Sequence, residues 1–154
     1  MRFVIAVSAI ALIASVAVAK PLSNEAALKI MHERHEGMEA IGKANKILRR
    51  ELTADAPNIA EVRGAANTIG NLAGKASKWF PQGTGTELGK TGAKPDIWQH
   101  QADFNAKLRD FQGAAKTLRV AAARADAGAI KGAYADLGKT CKACHDSYRM
   151  DMHH

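Results

Sequence analysis

The stretch IWQHQADFNAKLRDFQGAAKTLRVAA, residues 97–122, decides the fold. Its apolar residues Ile97, Phe104, Leu108, Phe111, Leu118 and Ala122 are separated by 7, 4, 3, 7 and 4 positions. That is a heptad-like repeat, the pattern of a helix packed along its length against other helices. Pro95, just upstream, suits the first turn of such a helix, where its missing N–H has no partner to lose. The spacing predicts one continuous helix from about Pro95 through Ala122.

Three further segments show the same period, and none shows a strand-like alternation of any length. One runs from about Ser23 to Leu52, with Leu28, Met31, Met38, Ile41 and Leu48 on one stripe. Ser23 is its expected N-cap, and Thr53-Ala54-Asp55-Ala56-Pro57 ends it. The next runs from about Asn58 to Trp79 through Ile59, Val62, Ala66, Ile69, Leu72 and Ala76. Asn58 with Glu61 resembles a capping pair, and Phe80-Pro81 stops the helix. Gly64, Gly70 and Gly74 weaken it and are candidates for close approach by a neighbouring helix. Residues 81–94, PQGTGTELGKTGAK, form the long irregular loop. After a turn at Asp126-Ala127-Gly128, the last helix carries Ile130, Tyr134, Leu137, Cys141, His145 and Tyr148. The expected fold is all-α, an antiparallel up-down-up-down four-helix bundle. In it, the start of the first helix and the end of the last lie at the same end.

The chain has 154 residues, a length that suits one domain. Residues 1–19 are a basic start, an apolar run and a small-residue Ala17-Val18-Ala19 ending, which reads as a cleaved secretory signal peptide. Residues 20–154 are then the domain, with export to the periplasm as the expected location. The run is short for a membrane anchor, so no stable membrane insertion is expected after cleavage. Losing Arg2 takes the formal charge from +7 to +6. With no dense Lys/Arg block and no aromatics interleaved in one, no nucleic-acid partner is expected.

Both cysteines of the chain fall in TCKACHDSYR, residues 140–149, with His145 directly after Cys144. C-x-x-C-H is the signature of covalent haem attachment. Thiols three apart lie on one helical face and can each add across one haem vinyl group. The adjacent imidazole is then available as axial iron ligand. A structural zinc site lacks a second ligand pair, and a thioredoxin-like site lacks its βαβ context. A disulfide would leave His145 without a role. One covalently bound haem c is the expected cofactor.

Taken with WFPQGTG from Trp79, AKPDIW at 93–98, Phe104, Phe111 and CKACHDSYR, the chain resembles the class II c-type cytochromes, the cytochrome c′ family. The resemblance covers essentially the whole chain after residue 19. It implies a helix bundle with its haem near the C-terminus, and Arg149 beside the proximal imidazole, where a cation would lower histidine basicity. Arg149 also suits a helix C-terminus without any haem role.

The resemblance further implies two possible functions. One branch of the family holds a Met sulfur from the first helix as sixth ligand and transfers electrons. The other is five-coordinate and binds small gases such as nitric oxide. The IGKANK stretch aligns Met31 with the distal position. Met31 lies about 12 Å into the first helix and His145 about 7.5 Å from the same end of the bundle, while His35 and Met38 lie deeper, at about 18 and 22 Å. A methionine on such a stripe is ordinarily a core residue. The leading expectation is an electron-transfer cytochrome with His145 and Met31 as axial ligands. It would be no enzyme, and its partner a redox protein; an acidic one would be steered by Lys139, Lys142 and Arg149. Gas binding is the alternative, and His35 a minor alternative ligand. A peroxidase-like role for Glu33, His35 and Glu36 has the least support. His32 lies beside the stripe; His100, His153 and His154 are expected at the surface. A homodimer is possible for this family.

Overall fold

The computed structural model describes residues 21–151. The expected signal peptide and His153 and His154 lie outside those residues. Five helices follow in order: α1 Asn24–Thr53, α2 Ile59–Ala76, α3 Asp96–Gln99, α4 Gln101–Arg124 and α5 Ala127–Tyr148. The extensive helix pairs are α1 on α2, α2 on α4 and α4 on α5. The four long helices form the expected antiparallel bundle, with α3 as a short added turn.

Three of the long helices start on side-chain caps. Ser23 Oγ accepts from the Ala26 N–H at 3.3 Å. Asn58 Oδ1 accepts from Ala60 and Glu61 at 3.1 and 3.3 Å, and Asp126 Oδ1 accepts from Ala129 at 3.0 Å. Each removes an orphan donor of a first turn, worth about 1 kcal/mol. Leu48, Ile69, Leu118, Ile130 and Leu137 are fully buried between the helices. Burying each such side chain contributes roughly 1.5–3 kcal/mol.

Five expectations are corrected. The helix expected to run unbroken from Pro95 is interrupted at His100, with φ −118° and ψ 48°. The Trp98 indole donates to the carbonyls of Phe80 and Pro81 at 3.2 and 2.9 Å, and Ile97 is buried. These contacts hold α3 on the long loop while α4 sets off along the bundle. α2 ends at Ala76, not Trp79, because Trp79 folds back onto α1. A Cβ on Gly37 would lie 2.3 Å from the Trp79 ring, so the close approach is at Gly37. Of the three α2 glycines, Gly64 and Gly74 face open space, and only Gly70 meets a neighbour, Arg119. The final turn is made by Ala125 at φ 55°, with Asp126 as cap, so Ala127 and Gly128 are already helical. Leu28, placed on the first stripe, is 48% exposed. The buried register of α1 is Ala27, Met31, Arg34, Gly37, Ile41, Ala44, Leu48 and Glu51.

α1 is twelve residues longer than α2. The two run antiparallel across a short connection. The excess, about 18 Å, is therefore the N-terminal part of α1 projecting past α2. At the same end, the loop before α3 joins the end of α5. Ala93 pairs with Arg149 in an isolated bridge, Lys94 N–H donates to the Tyr148 carbonyl at 3.0 Å, and Met150 N–H donates to the Gly92 carbonyl at 2.8 Å. The expected common end of the first and last helices is thus visible in the backbone. Among the described residues no helix is long and apolar enough to cross a membrane.

Candidate cofactor site

Cys141 and Cys144 lie on the inner side of α5, about two turns and one turn before its end. Both are half-buried, packed against the core, and carry free thiols. Burial pushes both thiol pKa values up. For Cys144 the Cys141 thiolate and Asp103 add to the rise and Lys107 opposes it. The two thiols therefore sit neutral against an apolar wall on one helical face. That donor set fits a flat apolar group bearing two alkenes, and no polar atom there must be buried unpaired.

His145 follows on the same helix, exposed at the surface. Even so, enough protein surrounds the ring for desolvation to hold its pKa below the ordinary value, with Arg149 as the second cause and Asp146 opposing. A neutral imidazole is the form that can donate a lone pair to a metal. Arg149 is the C-cap of α5, its N–H donating to the His145 carbonyl at 3.1 Å. Its charge is near enough to His145 to be the second cause of that lowered basicity.

The end of α5 is fixed from beneath. Tyr148 is 6% exposed and its hydroxyl donates to Asp103 Oδ2 at 2.5 Å. Desolvation and that bond push its pKa up to about 12. The bond to Tyr148, with Lys107 second, holds the Asp103 carboxyl below its usual range. The Phe104 ring meets Tyr148 edge-on, centroids 5.3 Å apart, and Phe80 meets Phe104 at 4.8 Å.

Met31 is buried on α1, though apart from the main core cluster. His32, Glu33, His35 and Glu36 are all exposed. His35, the minor alternative ligand, is therefore not on the buried stripe, which Arg34 occupies at that turn. Lys139 and Lys142 are paired with Asp136 at 2.8 Å and Asp146 at 2.6 Å. The surface near the cysteines is consequently mixed in charge rather than basic.

Arg34 was not anticipated. It is 5% exposed, and its guanidinium donates to the Trp79 carbonyl at 3.1 Å, Thr84 Oγ1 at 3.3 Å, the Thr84 carbonyl at 2.9 Å and Thr91 Oγ1 at 2.9 Å. It also lies over the Phe80 ring, 5.1 Å from its centroid. Desolvation lowers its pKa, with Glu87 opposing. The available signal was the register itself: position 34 is three after Met31 and seven before Ile41.

Residues 29–149 match the family model described as Cytochrome C′. The cytochrome c′ of Allochromatium vinosum is 37% identical over 141 residues, covering 89% of this chain and 88% of that one. A solved cytochrome c′ with an unusual ligand-controlled dimer dissociation is 33% identical. It superposes with a TM-score of 0.75 over 86% of this chain and all of that one. A nitric oxide complex of a variant cytochrome c′ from Alcaligenes xylosoxidans is 26% identical, with a TM-score of 0.72 over the same shares.

Proposed function

Because the chain belongs to the cytochrome c′ family, and is a haem c-binding cytochrome with one covalently attached haem, we propose that it binds a small gas such as nitric oxide on the α1 side of that haem. The observation carrying this reading is the similarity, over 86% of the chain, to a cytochrome c′ solved with nitric oxide bound. Cys141 and Cys144 would form the two thioether links and His145 the axial ligand. When bound, the haem supplies an iron able to hold a diatomic ligand or to exchange one electron. Desolvation, with Arg149 second, lowers the basicity of the His145 imidazole, and Tyr148, anchored on Asp103, holds the α5 end in place. Met31 lines the distal face rather than closing it. This is a binding role, without catalytic turnover.

The second reading, electron transfer with Met31 as sixth ligand, is favoured by one observation. A thioether is buried on α1 at the register that faces the bundle. A soft sulfur there would stabilise ferrous iron and raise the potential. Its partner would be a redox protein, but the pairing of Lys139 and Lys142 leaves little net charge to steer it.

EPR of the purified ferric protein at neutral pH separates the two. Gas binding expects a high-spin signal, and uptake of nitric oxide and carbon monoxide by the ferrous form. A low-spin signal that turns high-spin in Met31→Ala overturns it in favour of Met31 ligation. The periplasm is the proposed location and a homodimer the proposed assembly, since a similar cytochrome c′ dissociates its dimer under ligand control. Sedimentation velocity with and without carbon monoxide tests the assembly, and a monomer throughout would exclude it.

A further inference from the structure

Met31 and His145 stand on α1 and α5, which are not one of the extensive helix pairs. The part of α1 that bears Met31 also projects past α2. Among the described residues, every side-chain hydrogen bond from this part to another element comes from Arg34. Arg34 is three residues from Met31 in the same buried register, about 4.5 Å along the axis.

Two routes run from Arg34 to the end of α5. Thr91 Oγ1 accepts from Arg34 and also from the Ala93 N–H at 3.2 Å. Ala93 bridges Arg149, and the flanking bonds from Lys94 and Met150 close the connection. The second route is the stack in which the guanidinium covers Phe80, Phe80 meets Phe104 and Phe104 meets Tyr148, three residues after His145. A guanidinium is a rigid planar fork, so four bonds to separate acceptors fix it against the loop, and its buried stem ties that loop to α1. The two terminal nitrogens already meet four acceptors. The strap therefore rests on those two nitrogens.

Resting on the haem-site reading above, we infer that Arg34 is a positioning residue: it straps the distal face of α1 to the proximal end of α5. It thereby sets how readily a sixth ligand, whether a gas or Met31 itself, occupies the distal face.

The test uses holoprotein carrying Arg34→Met, Arg34→Lys or Thr91→Val. Gln112→Leu is the control, because Gln112 donates to the Ala73 carbonyl at 3.0 Å between α4 and α2, away from the strap. Two quantities are read: the rate of carbon monoxide binding to the ferrous form, and amide hydrogen exchange at Lys94 and Met150. The Arg34 variants should change the binding rate at least threefold and speed exchange at both amides at least tenfold. Thr91→Val should do the same to a smaller degree, and Gln112→Leu neither. Should Arg34→Met fail to accumulate, Arg34→Lys and Thr91→Val decide the matter. Faster exchange with an unchanged binding rate leaves Arg34 a structural role and overturns the inference. So does an altered rate without faster exchange, which removes the strap as its route. If the wild type is low-spin and takes up no carbon monoxide, the gas-binding reading fails separately. The strap is then read from the high-spin fraction of the ferric EPR signal, which should rise in Arg34→Lys and Thr91→Val; an unchanged fraction overturns it.

Discussion

Alanine at Gly37 tests how α1 is seated on the loop beneath it. A Cβ there would lie 2.3 and 2.5 Å from two atoms of the Trp79 ring. Ordinary contact begins at 3.4 Å, so the ring or the helix has to move by about 1.1 Å. Trp79 is a rigid ring, 4% exposed, and its carbonyl accepts from Arg34 at 3.1 Å, so it has little freedom to yield. Overpacking of this kind costs about 1–3 kcal/mol. Against it stands the gain of about 0.5–1 kcal/mol for replacing any mid-helix glycine by alanine. Gly64→Ala isolates that gain, because Gly64 is exposed on α2 with nothing within 4 Å of its Cβ position. The propensity gain cancels between the two variants, and Gly37→Ala should be the less stable by about 1–3 kcal/mol. In thermal unfolding of the holoprotein that is a gap of about 3–10 °C. Equal midpoints would mean that Trp79 does not pin α1, and the reasoning about this contact would be wrong.

Other outcomes follow from the same structure. Cys141→Ala or Cys144→Ala alone should leave the haem on the chain through one thioether under denaturing electrophoresis. The double variant should release it, and haem retained there would refute the attachment reading. Phenolate absorbance should show Tyr148 titrating near 12, and Asp103→Asn should bring that step down; an unmoved step would exclude the hydrogen bond as a cause. Because the folded pKa of Tyr148 is raised, its contribution to stability is present below about pH 10, the ordinary tyrosine value, and is lost as the pH rises through about 12. Tyr148→Phe should therefore lose less stability than wild type between those values, as read by denaturant titration at each pH. Ala125→Gly should stabilise by roughly 0.5–1 kcal/mol, since Ala125 holds a left-handed φ of 55°; a lower unfolding midpoint would contradict this.

The features legible in the sequence were those whose cause is local. Ser23 and Asn58 cap where their neighbours predict, because a cap is decided within four residues. The Cys141, Cys144, His145 constellation needs only a helix to bring its parts together. The misses share a different cause. The break at His100 exists because Trp98 is held by carbonyls of Phe80 and Pro81, seventeen and eighteen residues back. α2 stops early because Trp79 has a glycine to lie on, far behind it in sequence. Leu28 was placed on the apolar stripe for its chemistry, although the helix turns it outward.

Arg34 is the instructive case, because period and polarity disagreed about it. Heptad spacing from Met31 and Ile41 puts position 34 inside, while a guanidinium ordinarily belongs outside. The register prevails because the loop supplies two carbonyls and two hydroxyls to the fork, so the cation is buried without an unpaired donor at its terminal nitrogens. The proximal side of the site could thus be read from five consecutive residues. The distal side is a relation between two helices that scarcely pack on each other. It is held by a loop whose sequence, rich in Gly and Thr, carries no periodic signal. A charged residue at an apolar register is accordingly the place to look for what ties such a loop to the bundle. Here it lies one turn from the residue on which the choice between gas binding and electron transfer depends.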